Sequence, residues 1–147
     1  MSMLELFQKM VSGEVAGPPV GDLIGIRMTA IEVGRATFEL EAGPQHASPL
    51  GPVHGGILCD LADAACAHPI AASLDDDESF TTLELKINFL KPVWEGKLTA
   101  VGQVVKAGRT IALSECRVTD DEGALIAFAT STLLTLRSDS ARERGAG

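Results

Sequence analysis

Residues 55–73, GGILCDLADAACAHPIAAS, decide the architecture. The stretch is small and apolar nearly all round, interrupted only by Asp60, Asp63 and His68. A helix that is apolar on every side is a buried one. Pro69 lacks the N–H that a helix interior needs, so it is expected to end or bend this one. One helix cannot cover a broad sheet and also leave itself wet. The simplest arrangement therefore wraps a sheet around it.

The flanking segments supply that sheet. Residues 3–11 carry Leu4, Phe7 and Met10 or Val11 at helical spacing, with Ser2 as N-cap. Gly17-Pro18-Pro19 is expected to end that segment. Residues 26–40 read as a hairpin-like stretch turning near 32–35. There Ala36, Phe38 and Leu40 alternate with Thr37 and Glu39, the period of a half-buried strand. Residues 43–51 form a loop rich in Gly, Pro and Ser. Four strand-like runs follow the helix, over 81–90, 97–106, 110–119 and 124–136. Gly96, Ala107-Gly108 and Glu122-Gly123 punctuate them, and the last two suit hairpin turns. The expected order is helix, two strands, one long central helix, then four antiparallel strands in a meander. The main domain spans 21–137, after an N-terminal helix and linker over 1–20. The charged tail, 138–147, is expected to be disordered.

Composition narrows the function classes. With 147 residues the chain has room for one domain with a real core, not two. A net charge of −8 argues against a nucleic-acid binder, which needs clustered Lys and Arg. The acidic runs at 75–78 and 120–122 suit solvated turns. No apolar run approaches the ~20 residues that span a bilayer, and no basic start precedes an apolar stretch, so a cytoplasmic location is expected. Cys59, Cys66 and Cys116 form no CxxC pair and have no histidine cluster nearby, which predicts reduced, buried thiols, Cys59 and Cys66 at a core spacing, and no metal site.

The chemistry concentrates between Ser48 and Asp63. His54-Gly55-Gly56 falls where a loop enters the buried helix, and glycines there let a ligand approach the backbone. The first amides of a helix are unpaired and partly positive, which suits a developing oxyanion. The same glycines equally permit a tight turn under a sheet. Asp63 is a carboxylate on an apolar helix, costly without partners. Burial would push its pKa up, as suits a base or nucleophile, although an Asp facing a wet notch or a Lys is also open. Asp60, one turn away, is secondary. Gly55 and Asp63 are eight residues apart, roughly 12 Å along one helix. One reacting carbonyl must lie about 3 Å from each. If both act, they come from two copies of the chain, with antiparallel central helices about a two-fold axis.

The stretch from His54 to Asp63 resembles the signature of the hotdog-fold acyl-CoA thioesterases, in particular the PaaI-like phenylacetyl-CoA and hydroxybenzoyl-CoA group. Members share HGG followed, nine residues after the His, by Asp or Glu. LKINFLKPV, residues 85–93, and the following Glu95-Gly96 resemble that family's third-strand region, and the likeness runs from about residue 21 to 137. It implies an α+β hotdog fold, an antiparallel sheet wrapped around one long central helix. It also implies homodimers that often pair into homotetramers, and hydrolysis of acyl-CoA with neither metal nor cofactor. Asp63 matches the catalytic carboxylate, Gly55 the oxyanion amide with Gly56 beside it against the substrate, and His54 a residue near the thioester carbonyl, with loop anchoring as its other role. Thr82 aligns with a hydroxyl that orients water in some relatives. Ser48 stands where relatives carry Asn or Gln; it still donates one hydrogen bond, with shorter reach. Ala67 lacks a hydroxyl that some relatives have. Lys91, Lys106 and Arg109 are the cations near strand ends that suit coenzyme A phosphates, or simply solubility. Phe80 and Phe89 suit an acyl pocket for a medium or aryl group. Two other functions stay open: a non-catalytic acyl-CoA-binding module, favoured by Ser48, and an enoyl-thioester hydratase, for which no HFPG-type motif is present.

Overall fold

A computed structural model describes residues 1–137. The tail at 138–147 lies outside the described residues. In chain order the elements are α1 (Met3–Ser12), α2 (Pro19–Ile24), β1 (Ile26–Glu32), β2 (Arg35–Ala42), α3 (Gly55–Ala71), β3 (Glu78–Phe89), β4 (Gly96–Ala107), β5 (Ile111–Thr119) and β6 (Leu125–Arg137). Ser2 does cap α1, its hydroxyl accepting from Glu5 N–H at 3.2 Å while the Glu5 carboxylate accepts from Ser2 N–H at 2.8 Å. The short α2 departs from the expected linker. Pro19 sits at its first turn, where a missing N–H costs nothing, and Gly25 ends it at φ +90°.

The six strands form one antiparallel sheet in the order β1-β2-β4-β5-β6-β3. The expected four-strand meander is therefore corrected: only β4, β5 and β6 run as one, and β3 lies beyond β6. The connector after β3 explains this. Its Leu90 and Lys91 N–H groups both donate to Ile126 O on β6, at 2.8 and 3.2 Å, and its Val93 carbonyl accepts from Val53 N–H at 2.8 Å. Held to β6 and to the loop before α3, the connector cannot fold back into a hairpin with β4.

The sheet wraps around α3, which touches all six strands. Leu58, Leu61, Ala62, Ala65 and Cys66 of α3 are buried against Leu40, Leu98, Ile126 and a set of alanines on the inner sheet face, and Ile70 is buried in a second cluster with Ala112 and Leu133. Pro69 neither ends the helix nor stops its burial, since α3 continues to Ala71. Without an N–H, Pro69 leaves the Ala65 carbonyl unpaired in the helical pattern. That carbonyl points at Gly102 of β4, where any Cβ would collide with it. Beyond Pro69, the His68 ring lies between Phe7 of α1, with centroids 4.8 Å apart, and Phe38 of β2, at 4.9 Å. Its Nδ1 meets the Ala64 carbonyl at 2.8 Å, and burial holds its pKa below the ordinary histidine value.

Two outcomes follow from this packing. Gly102→Ala must push α3 off the sheet, costing about 3 kcal/mol and lowering the Tm by roughly 10 °C in a calorimetric scan. His68 stays neutral in the fold but takes up a proton when unfolded near pH 6.5. Stability should therefore fall as pH drops below that value, by up to about 1.4 kcal/mol per pH unit. Denaturant titrations at pH 7.5 and 5.5 should show a smaller acid loss for His68→Asn than for the native chain; equal losses refute a neutral buried His68.

Candidate active site

The entrance to α3 is built by short-range hydrogen bonds. His46, in a 3-10 turn over Pro44–His46, accepts from Gly43 N–H at Nδ1 (3.1 Å) and meets the Ile24 carbonyl at Nε2 (2.6 Å). Both ring nitrogens are thereby occupied in holding α2 to this loop, and the His46 carbonyl accepts from His54 N–H at 2.8 Å. Ala47 bridges Val53, and between them Ser48 N–H donates to Pro52 O at 2.7 Å. This tight loop leaves the Ser48 hydroxyl without a partner among the described residues. His54 then caps α3: its Nδ1 accepts from Gly56 N–H at 2.9 Å, and its carbonyl accepts from Ile57 N–H at 3.0 Å. Of the first three helical amides, only Gly55 N–H has no acceptor among the described residues. The Phe89 ring covers this point, since a Cβ on Gly55 would lie 2.9 Å from its Cζ.

Asp63 lies about two turns further on. It is half-buried in the single chain rather than enclosed, which corrects the expectation drawn from its apolar neighbours. Its Oδ1 accepts from the Thr82 hydroxyl at 3.1 Å. Thr82 reaches it because of a β-bulge. From Phe89 back to Leu85, β3 pairs β6 in regular register, and a shift between Glu84 and Thr82 leaves Leu83 as an extra residue. Strict alternation would put Thr82 and Phe80 on the face opposite Leu85, Ile87 and Phe89. The bulge reverses the phase, so both groups face α3. No Gly or Pro marks the bulge, so residue type alone does not reveal it.

Gly56 and Asp60 are exposed, and Cys59 and Asp63 half-buried. Their spacing puts them in one stripe of α3 beside β3. Burial pushes the Cys59 thiol pKa up, followed by the charges of Asp60 and Asp63. The Cys66 thiol is likewise pushed up, by its hydrogen bond with Cys116 and then by burial, so it stays protonated. Both facts agree with assigning the cysteines no chemistry.

The candidate cations do not converge within one chain. Lys91, near the start of α3, pairs with Asp120 at 3.5 Å. Lys106 and Arg109 are exposed at the opposite end of β4. At ~3.3 Å per residue a strand of this length separates its ends by roughly 40 Å. Asp120 also accepts from Ala124 N–H at 2.9 Å and Glu122 N–H at 3.0 Å, bonds that hold its pKa down, the Ala124 bond most. Among the described residues no three His, Cys, Asp or Glu side chains gather as metal ligands, and no helix is long and apolar enough to cross a membrane.

Known proteins share this fold. The Thioesterase superfamily matches residues 50–127, which hold α3, β3, β4 and β5. The 1,4-dihydroxy-2-naphthoyl-CoA hydrolase of Listeria monocytogenes is 30% identical over 112 residues, covering 76% of this chain and 91% of that one. Among solved structures, a phenylacetic acid degradation-related protein from Ralstonia eutropha superimposes with a TM-score of 0.79 at 30% identity, covering 87% of this chain and 98% of the other. A thioesterase family protein from Silicibacter pomeroyi does so with a TM-score of 0.78 at 27% identity, covering 90% and 99%. An antiparallel sheet enclosing one long helix is thus shared with these relatives: the chain belongs to the thioesterase superfamily, thioester hydrolases built on the hotdog fold.

Proposed function

We propose that the chain hydrolyses an aryl or short- to medium-chain acyl-CoA at sites shared by two subunits. The observation that carries this is the free Gly55 N–H at the start of α3, set about two turns from a carboxylate already holding a hydroxyl. The amide, with the positive end of the helix behind it, stabilises the oxyanion. Asp63 either attacks the thioester carbonyl, giving an anhydride that water cleaves, or takes a proton from the attacking water. In both routes the C–S bond breaks, the thiolate leaves and is protonated, and one water is consumed per thioester. Thr82 fixes the carboxylate, and Phe80 and Phe89 line the acyl site. No metal takes part.

The second subunit is supported by what a single chain leaves uncovered. Among the described residues β3 is at the sheet edge with no strand beyond it, and long open edges pair readily with another copy. Along it Leu83 is 54% exposed and Phe89 54%, beside the uncovered stripe of α3. The Leu90 side chain just past β3 is exposed as well. Two copies related by a two-fold axis would bring Gly55 of one near Asp63 of the other.

A second function, acyl-CoA binding without turnover, is favoured by the Ser48 hydroxyl in place of a longer amide. A panel of aryl-, short- and medium-chain acyl-CoA assayed for thiol release separates the two. Turnover by the native protein, with kcat lowered at least ~10²–10³-fold in Asp63→Asn, is expected; stable binding with no thiol released would establish the binder instead. Sharing of the site has its own check. Gly55→Trp and Asp63→Asn, each inactive alone, leave one intact site when mixed and refolded together. Recovery toward half the native rate per hybrid dimer is expected, and no recovery in a confirmed hybrid would place both groups in one chain.

A further inference from the structure

We propose that Ser131 of β6 is a positioning residue for this site, acting through the β3 bulge and Thr82 on Asp63. The inference rests on Asp63 being the catalytic carboxylate. Ser131 is fully buried, and its hydroxyl donates to the Glu84 carbonyl at 2.9 Å. Glu84 is the first residue in register after the inserted Leu83. A bulge interrupts the ladder, and a carbonyl beside it that loses its partner carries a desolvation cost. The Ser131 hydroxyl meets that carbonyl from the inner face, in the space where β6 otherwise presents Ala127, Ala129 and Leu133. Its bond favours the bulged register over a regular one. In a regular register Thr81, not Thr82, would share the phase of Leu85, and the Thr82 hydroxyl would turn away from Asp63. The chain thus has a relay of two hydrogen bonds, Ser131 to Glu84 and Thr82 to Asp63, joined by one backbone irregularity.

The neighbouring strand supplies an internal control. Ser114 of β5 is the direct cross-strand partner of Ser131 and is equally buried, but its hydroxyl has no partner. A generic need for buried hydroxyls in this layer would make the two serines equivalent, whereas the relay makes only Ser131 matter.

The experiment measures kcat and KM for thiol release by folded, active-site-titrated enzyme. Ser131→Ala should lower kcat about tenfold with KM nearly unchanged, the scale of one hydrogen bond to a charged group. Ser131→Thr should restore the rate, and Ser114→Ala should match the native enzyme. Adding Ser131→Ala to Thr82→Val should cost little beyond Thr82→Val alone, because both act along one path. If Ser131→Ala does not fold, Ser131→Cys, of similar volume and a weak donor, takes its place. A native kcat in Ser131→Ala or in Thr82→Val, or losses that multiply in the double variant, overturns the relay while Asp63 keeps its role. Full activity in Asp63→Asn would instead remove the catalytic assignment and the relay with it.

Discussion

The contact between the Ala65 carbonyl of α3 and the bare backbone of Gly102 in β4 sets the rest of the molecule. Proline four residues on withholds the N–H that would normally tie that carbonyl, so it faces the sheet. Glycine on the strand gives it room. Beside that contact the interior carries many small residues, Ala36, Ala62, Ala100, Ala127 and Ala129 among them, filled out by Leu40, Leu61, Leu98 and Ile126. Such close packing transmits displacements rather than absorbing them. The helix can neither slide nor turn, and its two chemical groups are fixed relative to every strand.

That fixity leaves those groups in two different environments. The start of α3 is a hydrogen-bonded knot in which His54 N–H donates to His46 O, His46 N–H to Gly43 O, Ser48 N–H to Pro52 O and Val53 N–H to Val93 O. One amide is left over, at Gly55. Asp63, further along, meets a single side chain from the edge strand and is otherwise on an uncovered stripe. The entrance is rigid and complete within the chain, and the carboxylate is not. The proposed shared site would explain that asymmetry: the face that one chain leaves open beside β3 is where a second would supply the missing donor.

Much of this was legible in the residues, and the illegible parts have physical reasons. An all-round apolar run announces a buried helix because burial is set by composition, and Ser2, Gly34 and Gly123 mark a cap and two turns because backbone geometry is local. Strand order is not local. The place of β3 beside β6 depends on Leu90 and Lys91 bonding to Ile126, thirty-odd residues away in the chain. The bulge at Leu83 was equally hidden, because any residue can fill it, and strict alternation counted from Phe89 puts Thr82 on the wrong face. Family resemblance named Thr82 where periodicity could not. Gly102 is the signal that went unread: an isolated glycine in a strand pattern points to a close backbone approach.

The acidic surface bears on how an anionic coenzyme would be held. Lys91, the cation nearest the start of α3, is half-exposed and its contact with Asp120 is a solvent-screened surface ion pair that contributes little. Asp120 has other work, since two backbone amides of the β5–β6 turn hold it. Exchanging this carboxylate for a phosphate would therefore cost Lys91 little and leave the turn intact. Lys106 and Arg109 are at the far end of β4, out of reach in the same chain. In the proposed antiparallel pair, however, the far end of one subunit lies toward the near end of the other. The proposed pairing of Gly55 with Asp63 would thereby also draw together cations that a single chain keeps apart. The same two-fold axis would then serve both the reacting centre and the charge needed at its rim.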